Sequence, residues 1–191
     1  MNINTANSLL FVTAGFTPFI VYLGLGPDGA AILNQARAEQ CFAYLFFSLP
    51  IAILMARRIE KNYFIDGGLI IIVASMSMAM AADAFRAAAN LSDVANAIAV
   101  TAYSSTILGV SISGIGFFRT TIFPKWLSGL LTVVTAIGFI LLATSEPSAI
   151  QTSVIILPFL LAFHVILIVL GVFMFRRNAV SYTHLTLPTK L

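Results

Sequence analysis

The sequence predicts an all-α membrane protein, a single bundle of six transmembrane helices. Three observations predict it. Of 191 residues, 60% are hydrophobic and only 9% are charged, and the mean hydropathy is +1.01. Soluble domains carry roughly 25% charged residues, so a water-soluble globular domain and a disordered chain are both excluded. Long apolar runs alternate with short polar breaks along the chain. The alternating ten-residue segments of a membrane β-barrel are absent. A single Cys removes any intramolecular disulfide or Cys-based metal cluster.

A crossing helix needs about 20 predominantly apolar residues. The first run extends from Ser8 to Leu25. It is too long for a signal core of about 7–15 residues, and Met1 to Asn7 lacks Lys and Arg, so a retained helix is predicted. The second run, Cys41 to Ala56, lies between Glu39 and Arg57, and a snorkelling Arg57 lengthens it. The third begins at Gly67 after Asp66 and continues through the Ala-rich stretch to Ala89, which favours helix strongly. Val94 to Phe118, Trp126 to Ser145 and Ile150 to Phe175 complete the set. Helices are thus predicted over about 8–25, 41–57, 67–89, 94–118, 126–145 and 150–175, in one domain covering 1–178.

Orientation follows from the basic residues. Arg57, Arg58 and Lys61 fall in the second loop, Arg119 and Lys125 in the fourth, and Arg176 and Arg177 after the sixth helix. The other side holds only Arg37 and Arg86. The positive-inside rule then places both termini in the cytoplasm, with those seven basic residues at the lipid interface. Trp126, the single Trp, opens the fifth helix at that interface. Positive charge in such short scattered groups does not form a nucleic-acid surface.

Small residues four apart allow close helix packing in lipid. Ser105, Gly109 and Ser113 form such a stripe on the fourth helix, and Ser128, Thr132 and Ala136 on the fifth. Pro18, Pro50 and Pro158 should kink helices one, two and six, with Thr17 and Ser48 able to satisfy freed carbonyls.

Few residues carry chemistry. His164 lies halfway along the sixth helix, where lipid disfavours the imidazolium form. It is read as a neutral, hydrogen-bonded structural group, with Ser104, Ser105 and Thr106 at similar depth as candidate partners and proton relay as the alternative. Asp83 and Arg86, three apart near the end of helix three, can pair on one face. They are read as marking the interface, with a polar vestibule as the alternative. No metal site or cofactor is expected, since no Cys or carboxylate shares the helix of His164.

Three resemblances add to this reading. Gly109-Val110-Ser111-Ile112-Ser113-Gly114 on helix four, with His164 on helix six, is similar to the Gly-x-Ser and His of rhomboid-type intramembrane proteases. That resemblance implies a hydrolase using Ser111 or Ser113 with His164. The His and Asn of the family's second helix are missing from Cys41 to Ala56. The segment Arg119-Thr120-Thr121-Ile122-Phe123-Pro124-Lys125-Trp126-Leu127 resembles the cytoplasmic loop of a family of uncharacterised small bacterial multi-pass membrane proteins. Phe85-Arg86 and Leu157-Pro158 echo the same family, while Ala89 and Phe163 stand where it often has glutamates. That likeness implies the six-helix topology and no mechanism. Finally, Val180 to Thr189 resembles an in-frame translation of a sequencing-library adaptor, so 179–191 is expected to be a non-native tail in which His184 and Lys190 carry no chemistry.

The expected protein is therefore a multi-pass protein of the bacterial inner membrane, non-enzymatic and either transporter-like or engaged in membrane interactions. An intramembrane hydrolase is the alternative. Its expected partners are the lipid bilayer and either a second copy of the chain or another membrane protein, with no nucleic acid.

Overall fold

The computed structural model describes residues 3–26, 30, 32–89, 91–145 and 156–185. It is all helical among the described residues, with α1 (Ile3–Pro18) continued by a π segment (Phe19–Leu25), then α2 (Gln35–Phe46), α3 (Ser48–Arg57), α4 (Tyr63–Ala89), α5 (Ser92–Arg119), α6 (Lys125–Ala143) and α7 (Ile156–Leu185). These elements make six spans long and apolar enough to cross a membrane. The chain is a multi-pass membrane protein. Each span packs on its sequence neighbours, and α7 packs along α1 to close the ring.

Three helices, α1, α2 and α4, start well before the apolar runs predict, and polar side chains near their starts are satisfied by partners on other elements or by a cap. Asn7 and Ser8 are buried in α1, and the Ser8 hydroxyl donates to the Gly171 carbonyl of α7 at 2.7 Å. In the second span, Asn34 caps α2 by accepting the Arg37 N–H at 3.0 Å. Glu39 therefore lies inside the span, neutralised by Arg86 of α4. Asp66 likewise falls within α4, because both its oxygens accept from Arg57 at the end of α3. The predicted beginning of the sixth helix at residue 150 lies outside the described residues. At its other end α7 runs on through Leu185, into the segment read as a tail, and residues 186–191 of that tail also lie outside the described residues.

The prolines act in different ways. Pro18 has no N–H for the Ala14 carbonyl, and directly after it the chain widens into π turns. Thr17 donates to the neighbouring Thr13 carbonyl at 2.8 Å. The π segment closes with the Gly26 N–H donating to Val21 O, where a Cβ would stand 2.7 Å from that same oxygen. Pro50 sits in the first turn of α3, and the second span breaks at Phe47 just before it. Ser48 donates to Leu45 O at 2.7 Å across the break. Pro158 falls in the first described turn of α7.

Close helix contacts use small residues. Gly109 and Ser113 of α5 meet Gly68 of α4, and a Cβ at Gly68 would lie 2.8 Å from the Ser113 backbone nitrogen. Gly15 of α1 lies against the His164 carbonyl of α7, and Gly171 against Ser8. Gly114 of α5 faces Thr132 of α6. The loop between α5 and α6 turns inward, burying Ile122 and Phe123. Phe123 stands edge-on to Phe11 (5.7 Å) and Phe117 (5.0 Å), plugging this end of the ring with aromatic rings.

Candidate functional site

At the opposite end, polar residues from three spans converge. Glu39 lies four residues inside its span and Asp83 four residues inside its own, so both carboxylates sit about 6 Å from the span ends. Glu39 and Asp83 are only 6% and 1% exposed. Arg86, one helical turn beyond Asp83, makes the ion pair to Glu39 and donates to the Asn96 side-chain oxygen of α5 at 2.7 Å. Gln35 donates to the other Glu39 oxygen at 3.2 Å. The guanidinium thus serves Glu39, Asn96 and Asp83, the last as an ion pair at 3.5 Å without a hydrogen bond among the described residues.

Tyr22 and Tyr103 face the same charges and interact electrostatically with Asp83 and Arg86. The π segment positions Tyr22, whose ring packs on Phe42 of α2 at 5.9 Å. Asp83 also lines a cleft of about 200 Å³ between α2 and α4. Asp83 is thus buried, and Arg86 partly buried, within a three-helix cluster near the span ends. Glu39, Asn96, Tyr22 and Tyr103 were not singled out from the sequence. One signal was present: Arg86 sits on the side that the positive-inside rule leaves poor in arginine, and Glu39 lies at equal depth on the adjacent span.

Deeper in the ring is a layer of aromatic side chains. His164 is surrounded by Phe42, Phe46 and Phe163 with centroid separations of 6.3, 5.7 and 4.9 Å. Its Nδ1 donates to the Leu160 carbonyl at 2.7 Å, which makes Nε2 the bare ring nitrogen, and Nε2 has no partner among the described residues. The helix α5 hydroxyls do not reach it. Ser104 donates to Thr101 O (3.1 Å), Thr106 pairs with Ser75 of α4 (2.9 Å), and Ser105 is half-buried on the same helix. Beside Thr106 and Tyr103 lies a cavity of about 20 Å³, room for one water. Since no partner is left bare by its removal, His164→Leu is expected to change stability by no more than about 1 kcal/mol. Equilibrium unfolding in mixed micelles measures this, and a loss above 2 kcal/mol would mean that Nε2 has a partner.

Ser111 donates to the Thr132 carbonyl of α6 at 3.2 Å, and Ser113 is fully buried against Gly68. Neither is hydrogen-bonded to His164. The hydrolase alternative thus lacks its nucleophile–base pair in this geometry.

The basic residues populate the aromatic-plugged end. Arg58, Lys61, Lys125 and Arg176 are exposed, as is Arg119, whose guanidinium lies 4.6 Å from the Phe64 ring centre. Lys125 sits over Phe118 at 5.2 Å, and exposed Trp126 meets Phe173 edge-on at 5.9 Å. Arg177 donates to the Thr121 and Ile122 carbonyls (3.0 and 2.9 Å), tying α7 to the inward loop. Glu60 accepts from the Thr121 N–H (2.8 Å) and hydroxyl (2.9 Å). Those two bonds, the backbone one foremost, hold its carboxyl below the ordinary glutamate value. A lowered carboxyl stabilises the fold above its unfolded pKa of about 4.3 and loses that contribution as pH falls through its folded value. Thr121 amide exchange, corrected for intrinsic rate, should be protected at pH 6 in the wild type and unprotected in Glu60→Ala. The two proteins should converge in acid, and a difference unaffected by pH would refute the carboxylate's role.

No family model, curated protein or solved structure matches this chain.

Proposed function

We propose that the protein is a small, non-enzymatic, transporter-like protein of the bacterial inner membrane, with both termini in the cytoplasm. The observation that carries this reading is the buried cluster of Glu39, Arg86 and Asp83, in which two carboxylates share one guanidinium. Ionisable groups inside a membrane are costly and mark pathways for ions or polar solutes. A purely structural bundle gains nothing from two carboxylates on a single cation, whereas a site for a charged solute uses the imbalance. The broken second span and the π segment flank the cluster, and discontinuous helices are the usual frame of transporter sites. The seven basic residues at the aromatic-plugged end support the orientation.

Two measurements test this. A reporter active only in the cytoplasm should be active when fused after Asn178 and silent when inserted at Glu146, which lies outside the described residues. The reverse pattern would invert the topology. Proteoliposomes given gradients of protons, sodium, potassium or methylammonium should show flux above protein-free vesicles for at least one of them. Arg86→Gln should lower that flux at least tenfold. Wild-type vesicles no faster than empty ones with all four would remove the transport reading.

A further inference from the structure

Two acids and one base are buried together, so the cluster is one positive charge short. Glu39 and Asp83 are 6% and 1% exposed, and Arg86 is the cation they share. Its contact with Glu39 is the closer of the two, and Asp83 stands at 3.5 Å. The other groups that face Asp83 are Tyr22 on the π segment and Tyr103 on α5, while Asn96 of α5 accepts from Arg86. Arg86 is the only cation among them. Arg37, the other basic residue at this end, is exposed and donates to Gln40 Oε1 at 3.0 Å. With both acids ionised the cluster keeps one net negative charge inside the span. Such a charge is costly, and a buried ionisable group sheds the cost by becoming neutral.

Access decides what can supply the missing charge. Both Asp83 oxygens are closed off from the surface and make no hydrogen bond among the described residues. An organic cation needs room beside those oxygens, and they have none. Calcium takes six to eight oxygen ligands and magnesium an octahedral set, and no group of three His, Cys, Asp or Glu side chains fit to hold a metal occurs among the described residues. A proton needs neither a ligand shell nor a cavity. Water is near enough to deliver one, since exposed Gln35 donates to a Glu39 oxygen at 3.2 Å and leaves solvent one side chain from the cluster. Glu39 has both that amide and the nearer guanidinium contact, and so is placed to stay a carboxylate. Asp83 has neither.

We propose that the cluster is an exchangeable proton-binding site, in which Asp83 takes up one proton while Glu39 and Arg86 remain an ion pair. Hydronium in the adjoining water gives up the proton, a carboxyl O–H bond forms on Asp83, and no other bond changes. The cluster is then neutral. This rests on the transporter-like reading of the cluster and names the proton as its coupling ion, the role that intramembrane carboxylates fill in proton relays.

The test is infrared spectroscopy of the full chain in nanodiscs, which separates the C=O stretch of a protonated carboxyl from the bands of carboxylates. At pH 6 an ordinary Asp or Glu, with a pKa of about 4, is ionised. The expected result is one carboxylic acid band at pH 6 that fades reversibly as the pH is raised to 9. The band should be absent from Asp83→Asn and intact in Glu60→Ala. Stability gives a second reading. A wild type that must take up a proton to fold should lose stability relative to Asp83→Asn as pH rises from 5 to 6, by up to about tenfold in the folding constant for one proton. If Asp83→Asn does not fold, aspartate labelled with carbon-13 at its carboxyl must shift the band in the wild type, and labelled glutamate must not. A missing band, a band kept by folded Asp83→Asn, or one shifted by labelled glutamate would overturn the proposal. So would a stability difference that is flat or of opposite sign over that range, and so would a band that never fades, since a proton held permanently couples to nothing. The band without flux would retire the transport reading and keep the site; flux without the band would do the opposite.

Discussion

Arg86→Gln is expected to destabilise the protein by about 3–5 kcal/mol, the cost of removing one partner from a buried ion pair. The substitution leaves Glu39 and Asp83 without their shared cation at 6% and 1% exposure. It also strips Asn96 of its donor. Glu39→Gln should cost less, because Arg86 keeps Asn96 and moves toward Asp83. The double variant Glu39→Gln/Arg86→Gln should be more stable than the sum of the single effects predicts, by about 1–3 kcal/mol of coupling. Acid should recover part of the Arg86→Gln loss, since protonating either carboxylate removes an uncompensated charge. Reversible unfolding of all four proteins in mixed micelles measures the cycle. Additive single effects would mean that the two side chains do not depend on one another.

Two adjacent glycines should respond to the same substitution with opposite signs. A Cβ at Gly68 would collide with Ser113 Oγ and the Gly109 carbonyl and stand 2.8 Å from the Ser113 nitrogen. Two of those three atoms are backbone, so α4 and α5 must separate along their shared face. Gly68→Ala is therefore expected to cost about 1–3 kcal/mol or more, the range for overpacking a filled interior. A Cβ at Gly67 meets nothing within 4 Å. Gly67→Ala should stabilise the protein by about 0.5–1 kcal/mol, the gain of alanine over glycine inside a helix. Melting temperatures of the two variants against wild type decide this. A Gly68→Ala protein as stable as Gly67→Ala would show that α4 and α5 do not pack this closely.

The number and order of the spans were legible because each carries a long, predominantly apolar run, and lipid leaves no other way to bury one. The ends of the runs were not. Glu39 and Asp66 read as boundaries because a sequence displays a charge without its partner, and both partners lie on other elements. The same reason hid the cluster. Asp83 and Arg86 could be paired from their spacing of three, but Glu39 stands far from them along the chain and Asn96 on a third helix. His164 was visible as an intramembrane histidine, yet depth alone pointed to α5 hydroxyls. The structure instead turns the ring toward Phe42 and Phe46. Depth fixes height along a helix and leaves the rotation about its axis free, and rotation decides which neighbour a side chain meets.

That rotation gives the π segment a consequence for how the chain tolerates insertions and deletions over evolutionary time. In an α-helix each residue advances the face by about 100°, so losing one residue within α5 would swing Gly109 and Ser113 away from Gly68. A π turn is an α turn carrying one residue more. Phe19–Leu25 thus holds surplus length that the other described helices do not have. A one-residue deletion there is absorbed by tightening to α geometry, and its effect falls on Tyr22 and the loop beyond it. Homologous chains should therefore differ in length within this segment more readily than inside any other span, and those that lose the surplus should also change the residue that stands against Phe42.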